Sequence, residues 1–208
     1  LFIAHGTNNL INDYTDFSRG IDKDNYFRTQ YGVHPLAQGF WDKPTHLRWF
    51  FVSGVLATLS GIYALIYTGF EPTVIWLFGI GAFILLFYTY PLKYVGIGEL
   101  SIFIIWGPLM IGGVYFVLTG QWDWTVLLAS IPIGLNVVTI NLGKHTDKLK
   151  EDKVKKVRTL PVIVGEPAAR FITMAAIVLS YIITLYLIFV SHFFTPFMLL
   201  IFVTIKPA

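Results

Sequence analysis

Residues 49–70, WFFVSGVLATLSGIYALIYTGF, form a stretch of 22 residues without a charged side chain, bounded by Arg48 and Glu71. A transmembrane helix needs about 20 consecutive, mostly apolar residues, so this stretch is long enough to cross a bilayer. Three later stretches share the property, namely residues 72–92, 100–122 and 124–143, which are 21, 23 and 20 residues long. The sequence therefore predicts a protein that crosses a membrane several times.

The composition agrees with this prediction. The chain has 208 residues, of which 55% are hydrophobic and 13% are charged, and its mean hydropathy is +0.67, which is too apolar for an ordinary soluble domain. A further region of 35 uncharged residues is interrupted by SHFFTP, and Pro196 suits the first turn of a new helix. We predict an all-α polytopic transmembrane bundle with helices near residues 47–68, 72–92, 98–119, 123–143, 169–192 and from 196 onward.

The basic residues are placed asymmetrically. If the spans alternate, residues 14–48, 91–98 and 143–170 share one side and hold 14 of the 15 Lys and Arg residues, whereas the opposite loops hold none. This is the pattern of cytoplasmic loops in membrane proteins. We therefore expect a multi-pass protein of the cytoplasmic membrane with these loops inside, and the net charge of +3 does not indicate nucleic-acid binding.

A first polar cluster, NDYTDFSRGID, directly follows the apolar run LFIAHGTNNLI. If a helix continues through it, Asn12 and Asp16 are four residues apart and Asp13 and Asp16 three apart, so their oxygens share one face. Gly20 allows the chain to turn, so that Asp22 can fold back. Such oxygens suit Mg²⁺, which usually binds one or two carboxylates together with substrate phosphates. Taken alone, the stretch also fits a solvated helix end.

A second polar cluster, NLGKHTDKLKEDKVKKVRTLPVIVG, spans residues 141–165. Asp147 and Asp152 are five residues apart, which is wide for one helical face, so either the helix is loose there or Glu151 replaces one of them. The interleaved lysines and arginine also fit a loop that binds anionic lipid headgroups. Two acidic clusters on the same side predict carboxylates around one cavity, whose mutual repulsion cations and a phosphorylated ligand would relieve.

A third stretch, YTYPLKYVGIGELSIFIIWGPL, covers residues 88–109 and carries Lys93 and Glu99 at the ends of two spans. Tyr88, Tyr90 and Lys93 could face a diphosphate. The alternative is a snorkelling lysine with interfacial tyrosines. The five histidines show no pairwise ligand spacing and are assigned no metal, and the absence of cysteine excludes disulfides and thiolate metal sites.

Together these stretches resemble the UbiA superfamily of intramembrane prenyltransferases, from about residue 5 to 170. The register of Gly20 and Asp22, and the segment KYVGIGELSIFIIWGPL, are most similar to the MenA-like branch, which includes the vertebrate vitamin K₂ synthase. The resemblance implies nine helices in the full protein around a central cavity capped by cytoplasmic loops. Residues 1–208 would form one domain that is incomplete at both ends.

The resemblance also implies a function, which is Mg²⁺-dependent transfer of an isoprenyl group from a polyprenyl diphosphate to an aromatic quinone precursor, as in menaquinone biosynthesis. The implied catalytic residues are Asp16, Asp147 and Asp152. The implied ligands of two Mg²⁺ ions are Asn12, Asp13, Asp16, Asp22, Asp147, Glu151 and Asp152. The residues expected to contact the donor diphosphate or its prenyl chain are Lys93, Tyr88, Tyr90, Arg19, Lys148, Lys153 and Arg158.

Two other functions remain open at this point. The acceptor could be geranylgeranylglyceryl phosphate, as in archaeal lipid synthesis. The acidic clusters could also bind ions for passage in a cation transporter, although transporters place ionisable residues near the bilayer midplane and here the acids lie at span ends.

Overall fold

The structure is a computed structural model that describes residues 1–22 and 32–205, and within these residues it is helical and contains no β-strand. The α-helices are α1 (Phe2–Ser18), α2 (Lys43–Tyr67), α3 (Pro72–Phe87), α4 (Gly98–Thr119), α5 (Trp124–Asp147), α6 (Leu149–Val154), α7 (Leu160–Val164) and α8 (Glu166–Phe189). Two 3₁₀ segments, Leu92–Val95 and Pro196–Ile205, complete the described chain. The predicted all-α fold is confirmed.

Four of the described helices, α2, α4, α5 and α8, are long and apolar enough to cross a bilayer, and α3 is equally apolar but shorter, with 16 residues. Their outer surfaces carry large exposed hydrophobic side chains, among them Phe51, Trp76 and Phe171. A surface of this kind is stable against lipid chains rather than against water. The chain is therefore a multi-pass membrane protein.

Charged residues that interrupt the apolar runs act as helix caps. Asp123 accepts hydrogen bonds from the backbone N–H groups of Thr125 at 2.7 Å and Val126 at 3.2 Å, at the start of α5. Glu71 accepts one from the N–H of Val74 at 3.0 Å, at the start of α3. Each carboxylate satisfies donors that the first helical turn leaves without a partner. The same residues thus end one span and begin the next.

Several boundaries differ from the prediction. Helix α2 begins at Lys43 instead of residue 47, and α8 spans Glu166–Phe189 instead of residues 169–192. Helix α3 ends at Phe87 instead of residue 92, because Pro91 cannot continue a helix and also restricts the residue before it. Helix α5 continues to Asp147, four residues beyond the predicted end, so part of the second polar cluster is helical. The span predicted from residue 196 is a 3₁₀ helix in the described residues, with the Phe202 ring stacked on Tyr181 of α8 at 5.0 Å.

Helices α4 and α5 cross at two glycines. A Cβ atom on Gly134 would lie 3.0 Å from the carbonyl oxygen of Phe103, and one on Gly107 would lie 3.2 Å from that of Ser130. Here α4 adopts a π-helical segment, Ile105–Gly112, and the small residues allow the two backbones to approach closely. This crossing aligns the two antiparallel helices, so that the start of α4 and the end of α5 meet at one end of the bundle.

We expect Gly134→Ala to lower the free energy of unfolding by about 1 to 3 kcal/mol, because the new methyl group overpacks the crossing against backbone atoms. The measurement is unfolding of the purified protein in mixed detergent micelles. Gly79→Ala is the matched control, since no atom lies within 4 Å of its added Cβ and alanine is the better helix former. Equal losses in the two variants would contradict the close crossing.

The contribution of the α5 cap to stability should also be measurable. Asp123→Ala is expected to reduce the free energy of unfolding by about 1 kcal/mol, because two N–H groups lose their acceptor. Asp123→Asn should retain most of the stability, since the amide oxygen caps equally well. The same micelle unfolding assay compares the two variants, and a loss that is as large for asparagine as for alanine would show that the cap is not responsible.

Candidate active site

The first acidic stretch ends α1 with a Schellman motif. The N–H of Ile21 donates to the carbonyl of Asp16 at 2.8 Å, and the N–H of Gly20 donates to that of Phe17 at 3.0 Å. Gly20 has φ of +72°, a left-handed conformation that glycine adopts without strain. The turn directs the chain back over the end of α1 and buries Asp22.

A buried ion pair lies at the centre of the first cluster. Lys93 Nζ is 2.5 Å from Asp16 Oδ2 and 3.3 Å from Asn12 Oδ1, and the exposed fractions of Lys93 and Asp16 are 6% and 4%. The Thr89 hydroxyl donates to the same Asn12 oxygen at 3.2 Å. The structure thus brings together three residues predicted from the sequence. A snorkelling role for Lys93 is excluded by its burial.

Aromatic rings border this ion pair. The Tyr94 hydroxyl lies 3.5 Å from Asp16 Oδ1, and burial together with the Asp16 carboxylate raises the pKa of Tyr94, so that it stays a neutral hydrogen-bond donor. The Arg19 guanidinium stacks over the Tyr90 ring at 3.8 Å from its centroid, a cation–π contact. Sequence analysis gave Tyr94 no role. Its position directly after Lys93 could have indicated that it belongs to the same site.

In the second cluster, the buried acid is Asp152, with an exposed fraction of 2%. Its Oδ1 lies 3.8 Å from Lys148 Nζ, and within the described part of the chain its Oδ2 has no hydrogen-bond partner. Burial raises the pKa of Asp152, and the positive charges of Lys148 and Lys93 oppose this shift. Because Lys93 acts on Asp152, the two clusters lie within electrostatic range of each other.

A direct contact also joins the two clusters. Lys155 Nζ donates a hydrogen bond to the carbonyl oxygen of Ile21 at 2.5 Å. This bond links the end of α6 to the turn after α1, although the residues are 134 positions apart in sequence. The two polar stretches predicted to share one cavity are therefore adjacent in the fold.

The five-residue spacing of the second acidic pair has a structural cause. Helix α5 ends at Asp147, the backbone breaks at Lys148, and α6 begins at Leu149, so Asp147 and Asp152 belong to different helices. Asp147 is exposed and Glu151 is half-buried. Burial thus distinguishes Asp152 from its two acidic neighbours, while metal binding by any of the three stays a prediction.

The remaining predicted residues occupy different surroundings. Asp13 is buried on α1, Tyr88 is half-buried at the end of α3, and Lys153 and Arg158 are exposed. The Asp22 carboxylate lies 3.0 Å from His34 Nε2. Since His34 Nδ1 accepts the N–H of Ala37, the hydrogen-bond network assigns the ring proton to Nε2, which donates to Asp22. Asp22 therefore anchors the segment that begins at residue 32.

Sequence analysis missed a further buried polar pair. His145 Nδ1 lies 2.8 Å from Glu99 Oε1, and both side chains are buried, with exposed fractions of 5% and 4%. The residues belong to α5 and α4, at the end of the bundle where these helices meet. The signal for this contact was the presence of two ionisable residues at the ends of consecutive apolar spans. Because they are 46 positions apart, the sequence did not show that the two helices align them with each other.

Comparison with known families decides the classification, because a model of the UbiA prenyltransferase family matches residues 1–206. The chain belongs to the UbiA prenyltransferase family. The resemblance predicted from the sequence motifs is thereby confirmed.

Individual relatives place the chain within the family. It is 28% identical to the 1,4-dihydroxy-2-naphthoate octaprenyltransferase of Bacillus subtilis, covering 96% of this chain and 63% of that protein. It is 29% identical to the UbiA prenyltransferase domain-containing protein 1 homolog of Drosophila melanogaster, covering 80% and 46%. The 2-carboxy-1,4-naphthoquinone phytyltransferase of Synechocystis is 28% identical, with coverages of 85% and 56%.

These relatives confirm the resemblance to the MenA-like branch. The chain spans between 46% and 63% of their lengths. No solved structure gives a significant match.

Members of the UbiA family are associated with Mg²⁺, and the residues of this site can be compared with what that ion requires. Among the described residues, no three acidic or histidine side chains converge as a ready-made metal site. Mg²⁺, however, usually binds one or two carboxylates and takes its other ligands from water and substrate phosphates. The partnerless Oδ2 of Asp152 and the oxygens of Asp16 and Asn12 are such hard donors. The residues fit an ion that binds together with a diphosphate.

The buried ion pair can be tested by a double-mutant cycle. Lys93→Met is expected to reduce the free energy of unfolding by about 3 to 5 kcal/mol, because it leaves the buried Asp16 carboxylate without its partner. The double variant Lys93→Met/Asp16→Asn should lose less than the sum of the single variants. Unfolding in mixed micelles measures all three proteins.

The exposed pair Arg170–Glu166, with a nitrogen–oxygen distance of 2.8 Å, provides the control. Arg170→Met should cost no more than about 1 kcal/mol, since exposed ion pairs contribute little. A similar loss in Lys93→Met would contradict the importance assigned to the buried pair.

Proposed function

We propose that the protein to which this chain belongs transfers an isoprenyl group from a polyprenyl diphosphate to an aromatic acceptor, with Mg²⁺, in quinone biosynthesis of the menaquinone type. The observation that carries the proposal is the approach of two polar clusters at one end of an otherwise apolar bundle, with the buried Asp16–Lys93 pair in one and the buried Asp152 in the other. Membership of the UbiA prenyltransferase family supports the reaction class.

The donor diphosphate would bind between these clusters. Lys93 can exchange part of its contact with Asp16 for a phosphate oxygen, and Lys148 already lies beside Asp152. Arg19, Lys153 and Arg158 are exposed, so their long side chains can reach an anionic ligand, Arg19 from its position against the Tyr90 ring. Ammonium and guanidinium groups form strong, charge-assisted hydrogen bonds with phosphate.

Asp16, Asp152 and Asn12 would hold Mg²⁺ together with the diphosphate. When bound, the ion neutralises charge on the diphosphate and so makes it a better leaving group. The carboxylates of Asp16 and Asp152 are both buried, and this burial strengthens their attraction for a cation.

In the proposed reaction, the allylic C–O bond of the donor breaks and its electron pair remains on the diphosphate. A carbon of the acceptor ring then forms a bond to the allylic carbon. The substituent that this ring carbon carried leaves, and the electron pair of its bond remains in the ring. Tyr90 and Tyr94 offer aromatic faces beside the diphosphate-binding residues, and such faces stabilise a nearby carbocation. Exclusion of water protects the cation from hydrolysis.

The names of two relatives support an aromatic acceptor, since both proteins are described as acting on naphthoate or naphthoquinone compounds. No described feature of this chain favours a glyceryl phosphate acceptor or ion passage. The asymmetry of the basic residues supports a site on the cytoplasmic side of the cytoplasmic membrane.

The two buried acids should be essential. We expect Asp16→Asn and Asp152→Asn each to reduce prenyl transfer at least about 100-fold, because each removes a charge that binds the metal–diphosphate unit. Asp147→Asn should lose less activity, since this side chain is exposed at the end of α5. The measurement is transfer of a radiolabelled prenyl group to 1,4-dihydroxy-2-naphthoate by the purified chain in nanodiscs.

Asp123→Asn, at the opposite end of α5, serves as the control and should retain full transfer. Micelle unfolding shows whether each variant is folded. Full transfer by Asp16→Asn, or by the unaltered protein in excess EDTA, would overturn the proposed function.

A further inference from the structure

The buried Glu99–His145 pair lies beside the two clusters and has no role in the proposed reaction as described above. Oε1 of Glu99 receives the hydrogen bond of His145 Nδ1 at 2.8 Å. Its other oxygen, Oε2, is fully buried and has no hydrogen-bond partner among the described residues. A buried carboxylate oxygen without a donor is costly, so this atom requires a ligand that donates a hydrogen bond.

A second unsatisfied group lies one helical turn away. Asn141 precedes His145 by four positions on α5, so the two side chains share one face. In the described chain, its buried Nδ2 has no hydrogen-bond partner within 3.5 Å, and a longer polar interaction joins its side chain to that of the half-buried Tyr88, which also lies within electrostatic range of Glu99. An acceptor oxygen and a donor nitrogen are thus both unsatisfied in one region.

The chemistry of this region disfavours direct contact with the donor diphosphate. Glu99 lies in the first turn of α4, where the helix dipole favours a carboxylate, and His145 donates to it. A carboxylate without a bound cation repels an anionic phosphate group. A neutral group that both donates and accepts hydrogen bonds fits instead, and a hydroxyl group has this property.

The position relative to Lys93 indicates which hydroxyl compound binds. Gly98, which precedes Glu99, packs against the backbone of Lys93, since a Cβ added to it would lie 3.2 Å from Lys93 Cα. The region therefore adjoins the residue proposed to bind the donor diphosphate. Two substrates that react must lie next to each other, so the acceptor ring is the hydroxyl compound expected there.

We propose that Glu99, held by His145, accepts a hydrogen bond from a ring hydroxyl of the aromatic acceptor, and that Asn141 supplies the neighbouring donor. This inference rests on the proposed function and extends it. It makes a hydroxyl group the feature by which the acceptor is selected, and it makes Glu99 a binding residue and His145 a positioning residue.

The test compares two ligands that differ in their hydroxyl groups. Binding of 1,4-dihydroxy-2-naphthoate and of 2-naphthoate to the full chain in nanodiscs is measured by calorimetry, without a prenyl donor. 2-Naphthoate is the smaller compound, so weaker binding cannot result from a steric clash. The unaltered protein should prefer the dihydroxy compound by about 10- to 100-fold, the range expected for a hydrogen bond to a charged group.

In Glu99→Ala the preference should fall to about twofold or less, because the acceptor oxygen is gone. In Glu99→Gln it should fall in the same direction with the fold retained, which keeps the test valid if the alanine variant does not fold. Glu166→Gln, which changes an exposed acid on α8, should leave the preference unaltered. His145→Ala should weaken the preference, because Glu99 then loses the residue that positions it.

An undiminished preference in both Glu99 variants would overturn the inference, and so would a result in which the unaltered protein shows no preference, since the unsatisfied oxygen would then bind only water. A steady-state comparison gives the independent readout. Glu99→Gln should raise the KM for the dihydroxynaphthoate and leave the KM for the prenyl diphosphate unchanged.

The failure of this inference is distinguishable from failure of the proposed function. The binding preference is measured without donor or Mg²⁺, whereas the proposed function is tested by prenyl transfer and by Asp16→Asn. If Asp16→Asn abolishes prenyl transfer but the Glu99 variants leave both transfer and the binding preference unchanged, the proposed function stands and only the role of Glu99 is wrong.

Discussion

The buried contact between Asp16 and Lys93 is the interaction on which the arrangement of the site depends. Each side chain is costly to bury alone, and the two are tolerated in the interior because they lie 2.5 Å apart. The pair fixes α1 against the segment between α3 and α4. Once this segment is in place, Tyr94 lies beside the same carboxylate and Asn12 accepts a hydrogen bond from the same lysine.

Much of the fold can be predicted from the positions of the charged residues along the sequence. Uncharged runs long enough to span a bilayer predicted the apolar helices, and Glu71 and Asp123, which interrupt these runs, became caps. Helical periodicity predicted that Asn12 and Asp16 share a face, and Lys93 binds both of them. These features are local, because each depends on residues within one or two turns of a helix.

The remaining features depend on contacts between distant segments. The pairing of Glu99 with His145 follows from the glycine crossing of α4 and α5, and neither residue carries a motif that predicts its partner. Spacing also failed to rank Asp147 and Asp152, because a helix break at Lys148 places them on different elements. Burial, which appears only in the folded chain, separates the two acids.

The hydrogen bond between Lys155 and the turn after α1 has a consequence for sequence variation. Its acceptor is the main-chain carbonyl of Ile21, an atom that every residue type possesses. Substitution at position 21 therefore does not remove the bond as long as the turn persists, whereas substitution at position 155 does. This bond therefore constrains the side chain at position 155 but not the one at position 21, where the burial of Ile21, with an exposed fraction of 3%, is a separate constraint.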